Sequence, residues 1–233
     1  MEWCKVEKQH VVSVFDEIAP SYDRGRGAWY SAIARVVHGL KGLVLDVGAG
    51  TGEIACRLAS QGVEAVAVDS SLSMLKILRR KAARRGLSHL VHPVAAHLPL
   101  LPVREGSFDA VLALAVLHHV YGRERRVHAL REMARALKPK GLCVVTAWYR
   151  YHPRNFLRSL ASFLHGASWG DVLVPWRRRG LTLYRYYHMY SRRELSEDLR
   201  RAGLAGTVLL WDPRPCFFKR NVLAVAAVAE STD

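Results

Sequence analysis

Several things are scarce in this 233-residue sequence. Its four cysteines, Cys4, Cys56, Cys143 and Cys216, lie far apart and form no CxxC pair. Nothing therefore points to a zinc ribbon or a dithiol redox site, and reduced, buried thiols fit better than a disulfide. No apolar run exceeds the eight residues of Ala110–Leu117 and Val222–Ala229. Both fall far short of the roughly 20 that cross a bilayer, and the first residues hold no apolar signal-peptide core. The expectation is a soluble, cytoplasmic chain without membrane contact. Side-chain amides number four (Gln9, Gln61, Asn155, Asn221), a depletion that suits a heat-loving source. Acids are short too: 20 Asp and Glu face 35 Lys and Arg, for a net charge of +15. Thermal adaptation adds charges of both signs, so the imbalance calls for a polyanionic partner, most simply nucleic acid, against the alternative of a generally basic proteome.

The charge is segregated. Residues 1–75 carry 7 bases and 9 acids, residues 76–104 carry 7 bases and no acid, and residues 123–220 carry 21 bases and 7 acids. A binding face explains such a distribution better than uniform basicity. With half the residues apolar, the chain has enough for one sizeable core.

Hydrophobic spacing predicts helices first, over Val11–Ile18, ended by Pro20, and around Trp29–Val37. Strands at Leu43–Val47, Val63–Val68, Leu90–Ala95, Phe108–Leu114 and Leu142–Trp148 then alternate with helices at Glu53–Ser60, from Ser71 or Ser73 to Arg85, and over Arg123–Leu137. That alternation implies an α/β fold with a parallel, doubly wound sheet. Residues 149–190 break the rhythm with Trp169, Trp176, Tyr184, Tyr186, Tyr187 and Tyr190 among arginines. Ser191 and Glu194 then form a capping-box pattern opening a helix to Ala202, and strands follow at Thr207–Trp211 and Val222–Val228. The expected layout is a single domain over 1–233: a helical lid (1–40), a cofactor-binding half (41–148), a basic and aromatic substrate insert (149–190), and a C-terminal helix with a strand pair (191–233).

The strongest local motif is Leu45-Asp46-Val47-Gly48-Ala49-Gly50-Thr51-Gly52-Glu53, where a strand gives way to a helix. Its G-x-G-x-G spacing, with an acid two residues before the first glycine, differs from the G-x-G-x-x-G of dinucleotide folds. It looks like the S-adenosylmethionine loop of class I methyltransferases, in which such an acid helps hold the cationic amino-acid end of the ligand, directly or through water. Asp69 closes the next strand, where a carboxylate can accept both ribose hydroxyls. Ser70 adjoins it, and Met74 follows within one turn to pack on adenine. Alone, Asp69 would read as a helix cap; with the loop, the nucleoside reading wins. Many class I methyltransferases carry an adenine-binding Asp where Ala96-His97-Leu98 stands here; a neutral His97 can accept the same hydrogen bond, or be only a loop histidine. Leu114 and Ala115, which close the fourth strand, and His119 complete the expected cofactor contacts.

The second half carries a more specific resemblance. Ala115-Val116-Leu117-His118-His119, Arg123-Glu124-Arg125-Arg126-Val127, Trp148, Asp171-Val172-Leu173-Val174-Pro175-Trp176 and Tyr184-Arg185-Tyr186-Tyr187-His188-Met189-Tyr190, with Phe15-Asp16-Glu17-Ile18-Ala19-Pro20 before them, resemble the eukaryotic wobble-uridine tRNA carboxymethyl methyltransferases. The likeness runs over about residues 11–230. It implies a seven-stranded, mostly parallel class I sheet, S-adenosylmethionine as cofactor, and esterification of 5-carboxymethyluridine in a tRNA anticodon stem-loop. Only Arg177–Leu183 separate VPW from YRYYH, so the chain is similar to a compact, archaeal-like version. Eukaryotic members work with a small zinc-binding activator protein, for which the third strand, Leu90 to Ala95, is the candidate edge.

A carboxylate acceptor, with a pKa near ~4, needs no general base. The site must align oxygen, methyl and sulfur and exclude water, and an arginine can hold the carboxylate through paired hydrogen bonds. On this reading His118, Trp148, Arg185 and His188 form the catalytic group, with Tyr187 packed and Arg185 and His188 facing the site. Tyr22 and Arg26 close the lid over the methionine end. Arg125, Arg150, Arg154, Arg158, Trp176, Arg177, Arg178, Arg179 and Tyr186 meet the tRNA. Of Arg125 and Arg126, one reaches the site and the other stays in solvent. No metal site is expected. The bland alternatives are a helix-start histidine pair, an aromatic core within the insert, and solvated charge. Two rival functions are a methyltransferase for a small carboxylic acid or quinone-like molecule, and a non-catalytic tRNA-binding module that retains S-adenosylmethionine.

Overall fold

The computed structural model describes residues 8–24, 27–178, 180–212 and 220–229. Arg26 and Arg179, both expected at the site, lie outside these residues. Among those described, no helix is long and apolar enough to cross a membrane.

Two helices, α1 (Lys8–Ile18) and α2 (Gly27–Val36), precede the alternating part. There β1 (Leu43–Val47), α3 (Glu53–Ala59), β2 (Glu64–Asp69), α4 (Leu72–Arg84), β3 (Val91–Ala95), β4 (Phe108–Leu114), α5 (Arg123–Ala136) and β5 (Leu137–Trp148) follow in turn. The insert forms α6 (Pro153–Leu164) and the antiparallel pair β6 (Asp171–Arg178) and β7 (Leu181–His188). Helix α7 (Arg192–Arg201) and strands β8 (Leu204–Trp211) and β9 (Asn221–Val228) complete the chain.

The main sheet has the order β3-β2-β1-β4-β5-β9-β8. Its first five strands are parallel, and β9 enters antiparallel between β5 and β8. The central strands are apolar on both faces because helices cover both. Leu45, Val111, Val145 and Ala224 meet α5 and α7, where Leu130, Met133, Leu195 and Leu199 are buried. Val44, Leu112 and Val144 meet Ile33 of α2 and Leu58 of α3, while Ala65 and Ala67 of β2 pack on α3 and α4. The strand order reverses between β1 and β4, and open α/β sheets bind ligands at the carboxyl ends of the strands beside such a point.

Most predicted boundaries move by three residues or fewer. The larger change is in residues 149–190: the i, i+4 spacing of Arg150, Arg154 and Arg158 predicts one helical face, but α6 begins at Pro153 and leaves Arg150 off it, and a hairpin follows where no strand is expected. The last two strands extend to Leu204 and Asn221, and β5 begins at Leu137 rather than Leu142. Ser71 is the residue that caps α4, accepting from the Met74 N–H at 3.1 Å. Ser191 caps α7 by accepting from Glu194 N–H at 3.1 Å, but the Glu194 carboxylate turns to His188 and Arg150.

Candidate active site

The glycine loop follows β1 directly. Gly48, Gly50 and Gly52 all have positive φ, at 69°, 55° and 72°. Space excludes a side chain at two of them as well: a Cβ on Gly48 would lie 2.3 Å from Val116, and one on Gly52 2.3 Å from Leu78. The loop is tied down by Gly48 N–H and Ala49 N–H donating to the Val68 carbonyl at 2.7 and 3.0 Å. Asp69 joins loop to helix, accepting from Gly50 N–H and Ser71 N–H, both at 2.8 Å.

These segments wall a cleft of about 750 Å³. Gly48, Gly50, Asp69, Ser70, Met74, Ala96, His97, Leu98, Ala115, His119, Tyr22 and Arg125 line it, twelve of the residues singled out in the sequence. Four others stand behind it. Ala49 packs on the α3–α4 core, Gly52 abuts Leu78, and Leu114 is buried against α2. They shape the wall without lining it, a correction that follows from their inward-facing positions. Asp46, 3% exposed, is the fourth, and its Oδ2 has no hydrogen-bond partner among the described residues. Burial, and then the nearby charge of Asp69, push its carboxyl up to about 7. His97 is exposed, its Nδ1 2.5 Å from its neighbour's carbonyl, Leu98 O.

A second pocket, of about 500 Å³, adjoins the first. Tyr22, Ala115 and His119 line both. Ala115 stands at this junction with φ of 58°, a strained conformation for a residue with a side chain. Its N–H is held by Thr146 at 3.1 Å through the carbonyl and 3.0 Å through Oγ1. The deep walls are His118, Trp148, Tyr187, Trp176 and Arg185. His118, 1% exposed, stacks on Tyr187 with centroids 4.7 Å apart and an interplanar angle of 16°. Arg185, 7% exposed, has its guanidinium 4.8 Å from the Trp176 ring centroid and 5.3 Å from that of Tyr187. Its Nε has no hydrogen-bond partner, and it forms no ion pair with the described carboxylates. A buried cation without an anion is costly, and its place in the pocket wall suits an anionic ligand.

The β6–β7 register explains which insert residues reach this pocket. Directly opposed residues share a face, and faces alternate along a strand. Val172, Val174 and Trp176 oppose Tyr187, Arg185 and Leu183, and this face carries the pocket walls. Asp171, Leu173 and Pro175 oppose His188, Tyr186 and Tyr184 on the other face. His188 therefore does not face the site. It is buried, with Nδ1 2.6 Å from Asp171 and Nε2 2.7 Å from Glu194. Both ring nitrogens are thus taken up by carboxylates, and neither is offered to a ligand. Tyr186 is no base platform either: it is buried and donates its hydroxyl to Asp171 at 2.8 Å. Arg150, 5% exposed, is paired with Glu194 and donates to the Met189 carbonyl at 2.9 Å, which removes it from any phosphate contact. Burial opposes ionisation of Glu194, but His188, Arg150 and Arg126 hold its carboxyl down at about 2. Arg126 is buried over Tyr190 and Arg125 lines the cofactor-side cleft, so neither is the expected solvated residue.

Arg154 and Arg158 share one exposed face of α6 and line the second pocket. Arg177 is exposed on β6 outside both pockets; the side chain of Arg178 is not among those described. Sequence reasoning missed Arg24, Trp29, His152, Arg220 and Asn221, which also line the second pocket. They come from four separated segments, and no local spacing links them. It also missed how the lid is fastened. Asp16 accepts from Ser71 Oγ at 2.6 Å and Ser73 N–H at 2.9 Å. Asp23 accepts from Thr51 Oγ1 at 2.5 Å, Lys81 Nζ at 2.9 Å and Tyr30 Oη at 2.8 Å. The motif Phe15–Pro20 contained the first of these acids.

This fold, with its glycine loop and cleft, is that of the class I methyltransferases. Residues 45–145 match the family described as "Methyltransferase domain". A protein of Encephalitozoon cuniculi that bears a methyltransferase name is 31% identical over 205 residues, which span 84% of this chain and 88% of that one. The tRNA (carboxymethyluridine(34)-5-O)-methyltransferase of Mus musculus is 33% identical over 167 residues, 67% of this chain and 23% of that one. Among solved structures, an S-adenosylmethionine-dependent methyltransferase from Methanosarcina mazei superposes with a TM-score of 0.72 at 21% identity, covering 85% of this chain and 98% of that one. The chain belongs to the methyltransferase family; it is an enzyme, and its cofactor is S-adenosylmethionine. It spans about a third or less of the length of the curated tRNA methyltransferases it matches.

Proposed function

We propose that the protein methylates the carboxylate of a carboxymethyl-substituted uridine at the wobble position of tRNA, giving the methyl ester. The observation that carries this reading is the second pocket: flat aromatic walls around a buried, unpaired Arg185, opening onto the cofactor cleft at Tyr22, Ala115 and His119. A planar base bearing an anion matches those walls, and the mouse relative named for this reaction supports the choice of base.

The cofactor-side cleft suits S-adenosylmethionine. Its size lies in the range of small-ligand sites; Asp69 ends β2 in reach of a ribose, Met74 and Leu98 supply apolar walls, and the free Oδ2 of Asp46 is what a cationic ammonium would offset, directly or through water. S-adenosylmethionine supplies a methyl group on a sulfonium sulfur. When bound, it would give that methyl to a carboxylate oxygen, the carbon–sulfur bond breaking to leave an ester and a neutral thioether. The acceptor is already anionic at neutral pH, so no side chain has to remove a proton. The task of this chain is alignment and water exclusion. Arg185 holds the carboxylate, His118 and Trp148 enclose the base, and Tyr22 covers the junction. The open edge of β3, paired on one side only by β2, is the surface on which the activator protein would dock.

The test is nucleoside mass spectrometry after incubating the protein with S-adenosylmethionine and tRNA carrying 5-carboxymethyluridine. The expected product is the methyl ester at that nucleoside alone. No ester, an ester elsewhere, or faster methylation of small free acids would overturn the reading, and the last would favour a small-acid methyltransferase.

A further inference from the structure

Outside its aromatic depth, the second pocket has a rim that the transfer step does not use. Arg24 comes from the lid, His152, Arg154 and Arg158 from the start of α6, and Arg220 from the approach to β9. One acid, Asp212, lines the same pocket, and it accepts the Arg220 backbone N–H at 3.1 Å. Elsewhere in the molecule arginines meet carboxylates: Arg57 with Glu53, Arg123 with Asp198, Arg135 with Glu132, Arg201 with Glu124. The four arginines of the rim form no ion pair with the described carboxylates. Two of them, Arg154 and Arg220, also act on a shared neighbour. Burial, then the charges of Arg220 and Arg154, push His152 below the ordinary histidine range, with Asp212 opposing. Like charges brought from three chain segments to one opening repel each other, and an anion among them removes the repulsion.

We infer that this rim is a phosphodiester-binding subsite, so that the pocket takes a nucleotide within a chain rather than a free nucleoside. The inference rests on the function proposed above for the identity of the base, and adds a second anion site to it. Arg185 at the inner end meets the carboxylate of the base. Arg24, Arg154, Arg158 and Arg220 at the outer end meet the phosphates of the same residue.

Trp29, Trp148 and Trp176 line the pocket, so intrinsic fluorescence reports its occupation. Titrating the intact protein with 5-carboxymethyluridine, its 3′,5′-bisphosphate and unmodified uridine 3′,5′-bisphosphate separates the two anion sites. The bisphosphate of the modified base is expected to bind at least tenfold more tightly than its nucleoside. The double variant Arg154→Gln/Arg220→Gln, two exposed changes, should erase that advantage and leave nucleoside affinity within about twofold. An unchanged melting temperature and S-adenosylhomocysteine affinity certify its fold; should it not fold, each single variant is expected to lose part of the advantage. Equal binding of nucleoside and bisphosphate, or an advantage that survives in the folded variant, overturns the subsite. If phosphates strengthen binding and the carboxymethyl group adds nothing, the subsite stands and the proposed acceptor fails. If the carboxymethyl group strengthens binding and phosphates do not, the acceptor stands and the subsite fails.

Discussion

The two adjoining pockets differ in charge. The cofactor side balances Asp69 against Arg125 in its wall, with Asp46 buried behind the loop and lacking a hydrogen-bond partner at Oδ2. The acceptor side has Arg24, Arg154, Arg158, Arg185 and Arg220 against a single Asp212. On the function proposed above, an anionic acceptor would be drawn to the basic side and meet the methyl donor at Tyr22, Ala115 and His119. Desolvated charges of fixed sign discriminate more strongly than shape, because a ligand of the wrong sign meets both repulsion and a lost hydration shell. The regions also differ in construction. The cofactor side is held by backbone hydrogen bonds within and between adjacent segments. The acceptor side depends on one hairpin, fixed from behind by the buried set of Asp171, His188, Glu194 and Arg150.

The comparison breaks most severely if that buried set is opened. His188→Ala removes the ring that joins Asp171 to Glu194 and takes a hydrogen-bond partner from each buried carboxylate. A loss of roughly 3–5 kcal/mol of stability is expected, with acceptor binding lost before cofactor binding. Thermal melts alongside S-adenosylhomocysteine titration check it; equal loss at both pockets would mean the hairpin is not a separate unit. Acid should act in the same direction. The Glu194 carboxyl is lowered in the folded state, so its contribution is complete above about 4.5 and disappears as pH falls toward about 2.

Arg185→Met keeps most of the side-chain volume and removes the charge. Loss of charge-assisted hydrogen bonds to a desolvated carboxylate predicts a fall in kcat/KM of about 10²–10³, or roughly 3–4 kcal/mol. Cofactor affinity should change less than about twofold, as measured by calorimetry. A comparable loss of cofactor affinity would place Arg185 on the wrong side of the comparison.

Asp46→Asn tests the cofactor side with opposite signs for function and stability. In the cofactor-free protein the carboxyl titrates near about 7 rather than 3.8, so ionising it costs folding free energy. That cost is absent below about pH 4, grows through pH 7 and is complete above it. The variant should therefore melt higher than the parent at pH 8, by roughly 2–4 kcal/mol, and equally at pH 4, while its affinity for S-adenosylmethionine falls about tenfold or more. Unchanged affinity would remove Asp46 from the site.

The smallest effect belongs to the exposed Arg177, outside both pockets. Neutralising it should weaken tRNA binding by less than about tenfold and lower the slope of log affinity against log salt by about one. An unaltered slope would confine the RNA contact to the acceptor pocket and its rim.

How far the sequence could be read follows the same division. On the cofactor side, strand, glycine turn, helix and the acid at the next strand end are contiguous in the chain, so spacing conveys geometry. Gly48, Gly50 and Asp69 were recognisable for that reason, and Asp46 with them. In the insert, RYYH reads as a cluster, yet strand alternation sends Arg185 and Tyr187 to the pocket and Tyr186 and His188 away from it. That period of two was legible once a strand was assumed; residues 149–190 offered no clear pattern to license the assumption. Arg150 illustrates the other limit. Its charge is identical to that of Arg154, and only the tertiary position of Glu194, 44 residues on, turns one into a structural ion pair and leaves the other at the pocket rim.

The sequence by itself determined the sheet, the glycine loop and the excess of positive charge, because each is written in local periodicity, spacing or composition. Which of those positive charges are neutralised inside the protein and which await an anion was decided by the tertiary structure alone. Ion pairing depends on distance in space, and folding brings Arg24, Arg154 and Arg220 to one opening while carrying Arg150 away to its carboxylate.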